Sequence, residues 1–240
     1  MFNFISKKNA QLSLPDGSFI NYQLIKKNKK TITIRVTSSG LVVSAPLLMT
    51  QNRINQLLDS KKKWIQSKLK ILSSAPKRFL MQNGEIFKIL DRIITIQLQL
   101  GKRNISLTNN ECYIYFEDLT ENKKIKNFFI KWLKNYALKH FIERANKICL
   151  KYNISPKDIL LSNAKTRWGT CNNKKEIRIN WRLIQSSDFV IDYVICHELA
   201  HLSFLNHSKQ FWAQVEHLYP QYKFAEKVLK EKGFQLYSID

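Results

Sequence analysis

The sequence predicts an α+β protein: a β-rich N-terminal module with one helix, followed by a helical half that carries one short sheet. Three observations predict it. Residues 19–45 alternate polar with apolar or β-branched side chains in short runs. From Thr120 a three- and four-residue apolar spacing takes over and is sustained to Cys149. Beyond Pro156 one alternating run, Glu176 to Leu183, stands among helical patterns.

Taken in order, Phe19 to Leu24 and Thr31 to Val36 read as strands around the turn-like Lys26-Lys27-Asn28-Lys29-Lys30, and Leu41 to Ala45 as a third, closed by Pro46. Thr50 caps a helix that carries Ile54, Leu57, Leu58, Trp64, Ile65 and Leu69. Ser73 to Pro76 breaks the pattern. Strands resume at Glu85 to Leu90, Ile93 to Leu100 and Cys112 to Phe116, with Asn109-Asn110 as a turn. The long helix then runs through Ile125, Phe129, Trp132, Phe141 and Cys149 until Pro156 forbids continuation. In the run EIRINWRL, Ile177, Ile179, Trp181 and Leu183 share one strand face, and Arg178, Asn180 and Arg182 share the other. A helix over Asp188 to Leu202 follows, then a break near Asn206, a helix capped by Ser208, and a last one from about Lys223 to Gly233. The shift from strand to helix places a domain division at 1–119 and 120–240, and no internal repeat is visible.

A charge of +22, from 40 Lys and Arg against 18 Asp and Glu, attracts nucleotides, nucleic acid or acidic membrane surfaces at modest salt. Because lysine dominates alongside abundant Ile and Asn, plain compositional bias accounts for that charge equally well. No run of about eighteen apolar residues and no signal-peptide pattern occurs, which points to a cytoplasmic protein without a membrane span. Cys112, Cys149, Cys171 and Cys196 show no paired spacing and read as reduced thiols, Cys196 as a packing residue.

The chemistry concentrates in His197-Glu198-Leu199-Ala200-His201, an HExxH pattern inside the apolar run VIDYVICHELAHL. Residues four apart lie one helical turn apart on the same face, so both imidazoles reach one ion. Zn2+ lowers the pKa of a bound water to about 7, and the adjacent Glu198 is placed to act as its general base. A catalytic zinc needs a third protein ligand. His207 offers itself beyond a break at Asn206, whose tolerance of left-handed backbone would swing it back toward the ion; Glu216 on the next helix is the competing ligand. His140 and His217 read as packing or surface histidines.

Four blocks extend the pattern: Arg167-Trp168-Gly169-Thr170-Cys171, Ile179-Asn180-Trp181-Arg182-Leu183, Val194 to His201, and Asn206-His207-Ser208 with Phe211-Trp212. In that order they resemble the YgjP-like metallopeptidases, a group related in site pattern to SprT-like and WLM proteins. The resemblance implies a zincin-like minidomain behind the β-rich part, with His197, His201 and His207 as zinc ligands and Glu198 catalytic. Metzincins share the ligand spacing, but Phe204 stands where their pattern requires Gly, and no Met follows Met81. The run EIRINWRL is then expected to border the cleft as an edge strand that pairs with an extended peptide, with Arg167, Trp168, Asn180 and Arg182 as candidate substrate contacts. Trp168 suits a wall of the site, and Gly169 a tight turn beside it.

The resulting expectation is a zinc-dependent peptidase acting on peptides or proteins. Two further readings stay open: a metal-dependent nucleoside triphosphate pyrophosphohydrolase whose lysines recruit the anion, and a nucleic-acid-associated protease of the SprT or WLM type.

Overall fold

A computed structural model describes residues 6–14, 17–37, 40–73 and 78–240. The first five residues and most of the break expected at Ser73 to Pro76 lie outside these. The chain forms two compact units, Met1–Ala75 and Pro76–Asp240, and its class is α+β, with six helices and three small sheets among the described residues.

In the first unit, strands β1 (Ser6–Ser13), β2 (Phe19–Lys27), β3 (Thr33–Thr37) and β4 (Gly40–Pro46) form one sheet in the order β1-β2-β4-β3. β1 and β2 are antiparallel, β2 and β4 parallel, and β3 and β4 antiparallel. Alternation buries Leu12, Tyr22, Leu24, Leu41 and Val43 on one face, where Ile54, Leu58 and Ile65 meet them. The Thr50 hydroxyl caps helix α1 (Gln51–Ser60) as expected, accepting from the Arg53 amide. The single helix expected here is two, because the chain breaks at Lys61 before α2 (Lys62–Ser73). Trp64 consequently turns outward and is exposed.

In the second unit, β5 (Ile86–Ile89), β6 (Arg92–Leu100), β7 (Asn104–Leu107) and β8 (Glu111–Phe116) pair in the order β5-β6-β8-β7, again antiparallel, parallel, antiparallel. The two sheets therefore share one topology, a repetition the sequence does not display. This second sheet shares its core with α3 (Asn122–Tyr152), whose buried Ile125, Phe129, Leu133, Ala137, Phe141 and Ala145 recur every four residues. The strand-to-helix change near residue 119 thus falls inside one core, and the units part at Ala75. α3 ends at Asn153, which adopts φ 53° as a left-handed cap three residues before Pro156.

The third sheet, β9 (Asp158–Ser162), β10 (Gly169–Cys171) and β11 (Glu176–Asn180), has the order β10-β11-β9. β11 is paired on both sides, so it is not the expected edge strand; β10 is. β11 also stops earlier than expected. The Asn180 side chain accepts from the Arg182 amide and converts Trp181–Gln185 into a 3-10 turn. Helices α4 (Asp188–Ala200), α5 (Lys209–Leu218) and α6 (Tyr222–Lys232) follow, and Gly233–Ile239 forms a second 3-10 segment. None of the described helices is long and apolar enough to cross a membrane.

Arg182 ties these parts together. Its Nε and Nη2 donate to one Asp240 carboxylate oxygen at 2.9 and 2.6 Å, and its guanidinium lies 4.6 Å over Trp181 and 5.0 Å over Tyr237. Removing one partner of a buried ion pair strands the other charge. Asp240→Ala should lower the urea unfolding midpoint, at unchanged slope, by the equivalent of about 1–3 kcal/mol. The double change Arg182→Met with Asp240→Ala should recover part of that loss.

Candidate active site

Helix α4 is buried on nearly every side: Val190, Ile191, Val194, Ile195, Cys196, Leu199 and Ala200 all sit in the core. A helix apolar all round belongs at a domain's centre, and α4 packs against α3, α5, α6, β10 and β11. This placement carries Glu198 inside with it, leaving that carboxylate only 4% exposed. Cys196 faces the Leu218 carbonyl, and burial pushes its thiol up to about 12, as suits a packing residue.

His197 and His201 project from the last turn of α4, with ring centroids 5.1 Å apart. The chain reverses after Ala200, where the Phe204 amide donates to the Ala200 carbonyl. Asn206 is not among the residues with positive φ, so the left-handed turn expected there does not form. The reversal nevertheless returns His207, whose Nε2 lies 3.1 Å from His197 Nε2. One nitrogen from each of the three imidazoles lies within 4.8 Å of the other two. Glu216 is not part of this cluster, and neither is Cys171. His140 pairs with Asp188, and His217 packs on Tyr152.

These residues fit a tetrahedral cation. Zinc–nitrogen bonds of about 2.0–2.1 Å place tetrahedral ligands roughly 3.3 Å apart, close to the spacing of His197 and His207. His201 Nδ1 faces the Phe204 carbonyl at 2.9 Å, which fixes that nitrogen as the proton carrier and leaves Nε2 free to donate its lone pair. Burial draws the His197 imidazole down to about 4, so it is neutral at ordinary pH. The Glu198 carboxyl is pushed up to about 8 by the same desolvation, a shift that a nearby dication opposes. His197 Nδ1 and Glu198 Oε2 are buried without a hydrogen-bond partner, an arrangement that proteins rarely tolerate outside functional sites.

An aromatic bed supports the cluster. Phe211, from the first turn of α5, stacks on His201 at 4.5 Å and meets His197 and His207 edge-on at 4.9 and 4.7 Å. Trp212 stacks on His207 at 5.8 Å. The Ser208 hydroxyl, accepting from the Phe211 amide, starts this helix at the required point. The sequence showed Phe211-Trp212 beside the histidines without revealing this role.

Gly169 has a second role that the sequence did not reveal. It lies in strand β10 rather than in a tight turn, and a Cβ built there would sit 2.4 Å from Glu198 Oε1. The absent side chain is the space that the carboxylate occupies. Arg167 and Trp168 line the same cavity as His197 and Glu198. Asn180 and Arg182 do not line it. Asn180, 0% exposed, donates to the Ala164 and Arg167 carbonyls and so shapes the loop leading to Trp168, while Arg182, 3% exposed, is held by Asp240. Expected on an outward face, both are enclosed because the strand ends at Asn180.

A sequence profile of the YgjP-like metallopeptidase domain matches residues 30–232. No curated protein matches the chain. Among solved structures, the crystal structure of the metallopeptidase zymogen of Methanocaldococcus jannaschii jannalysin is 21% identical, over 38% of this chain and 95% of that one, with a TM-score of 0.35. That likeness is too slight to bear on fold or function. The profile spans most of the chain and includes the whole histidine cluster, and on that ground the chain belongs to the YgjP-like metallopeptidase family.

Proposed function

We propose that this metallopeptidase is zinc-dependent, with His197, His201 and His207 holding the ion and Glu198 serving as general base. The convergence of three imidazole nitrogens within 4.8 Å, beside a buried carboxylate, carries the reading. Three nitrogen donors suit zinc, whereas magnesium and calcium take oxygen ligands, which also weighs against a magnesium-type nucleotide hydrolase. When bound, the ion supplies Lewis acidity, making water more acidic and polarising a carbonyl.

The residues supply the remainder. The Glu198 carboxylate, whose buried Oε2 has no hydrogen-bond partner, is available to accept a proton from the attacking water and deliver it to the departing amine nitrogen. The buried faces of α4 and Phe211 exclude bulk water behind the imidazoles. Edge strand β10 suits an extended peptide. The Trp168 carbonyl accepts from the Asn180 amide and the Glu176 carbonyl from the Asn172 amide, at 2.8 and 3.1 Å. Antiparallel ladders alternate, so the main-chain groups of Gly169 and Cys171 point away from β11 toward the open edge.

Glu198→Gln should retain stoichiometric zinc while peptide turnover falls by about 10²–10⁴-fold; undiminished turnover would rule out the general-base role. Zinc at a hundredfold excess over its Kd should stabilise the wild type by about 2.7 kcal/mol, seen as a raised Tm, and His207→Ala should abolish most of that rise. Gly169→Ala should lower turnover at least about tenfold at unchanged zinc content. Because the added methyl meets Glu198 directly, combining it with Glu198→Asp should cost less than the product of the two single effects.

A further inference from the structure

Beside Glu198 and His197 lies a cavity of about 280 Å³, walled by Trp168, Val194 and Leu229. We infer that it receives one large apolar side chain of the substrate, aromatic above all, on a residue flanking the scissile bond. The inference rests on the peptidase reading and adds to it a preference in sequence.

Size permits that occupant. The cavity's volume of about 280 Å³ admits one large side chain. The lining chemistry agrees, since Val194 and Leu229 are buried hydrocarbon and Trp168 presents an indole.

That indole is a fixed wall. A Cβ on Gly233 would lie 2.8 Å from Trp168 Cζ2, so the ring rests directly on the Gly233 backbone. Tyr237 packs on the indole at 5.3 Å, and the Trp168 carbonyl is held by the Asn180 amide. Asp240, through Arg182 and its stacking on Tyr237, anchors the 3-10 segment that supports the ring. A wall held on this many sides is preorganised, which lowers the entropy lost when a ring stacks on it.

The charges at the rim do not favour an ionic occupant as a set. Glu226 and Lys230 pair at 2.7 Å and offset one another. Arg167 also lines the cavity and is exposed, which makes an acidic side chain the rival occupant.

The test uses zinc-loaded full-length protein and peptides that differ only at the two residues flanking the cleaved bond. Phe, Tyr, Leu or Met should be favoured over Gly about tenfold or more at one flank, and Leu229→Arg should collapse that ratio. Where the arginine variant fails to fold, Leu229→Ala should instead widen the preference toward Trp. Acidic preference, or no preference at either flank, overturns the inference. If wild type cleaves no peptide at all, the peptidase reading fails separately, and binding then decides. N-acetylphenylalaninamide titrated into Glu198→Gln protein should perturb the Trp168 indole resonance at concentrations about tenfold lower than N-acetylalaninamide. Equal responses to the two amides also overturn the inference.

Discussion

The site depends on one constraint: a carboxylate must be kept in an apolar interior without a partner of its own. α4 imposes this because it is hydrophobic around its whole circumference, and Glu198 goes wherever that helix is buried. Water is then excluded, and the usual outcome is a neutral acid. Three features make the position workable: the cavity on one side, the histidine cluster next to it, and the missing side chain of Gly169 against which the carboxylate rests. None of the three is useful without the burial.

Much of this was legible in the sequence because it is local. A spacing of four on a helix brings His197 and His201 together, and hydroxyls at Thr50 and Ser208 cap the helices that follow them. His207 was readable as a third member although the turn that returns it differs from the one expected. Side-chain direction after a strand ends was not legible. Alternation predicts outward faces for Asn180 and Arg182 only while the strand continues, and Asn180 ends it by capping a 3-10 turn with its own side chain. The consequences of contacts distant in sequence were equally hidden. Gly169 is 29 residues from Glu198, and Gly233 is 65 from Trp168, and no periodicity links either pair. β1 and β7 leave little trace in the sequence because edge strands need bury little, and only Leu12 is enclosed along β1.

The two four-stranded sheets share their strand order and their parallel central pair, each preceding helical structure. Different residues fill the corresponding positions, so the repetition lies in topology and not in letters. The second of these sheets shares one packed interior with α3 and α4, on both sides of the point where strands give way to helices.

Phe211 and Trp212 have one further consequence. They cover one side of the histidine cluster with aromatic carbon, while His207 stays exposed on another. The cavity that Trp168 and Leu229 border reaches the cluster at His197, and the exposed His207 offers a second approach. Filling the cavity and exchanging the ion are therefore separable events, since an occupant beside Trp168 leaves the His207 side uncovered.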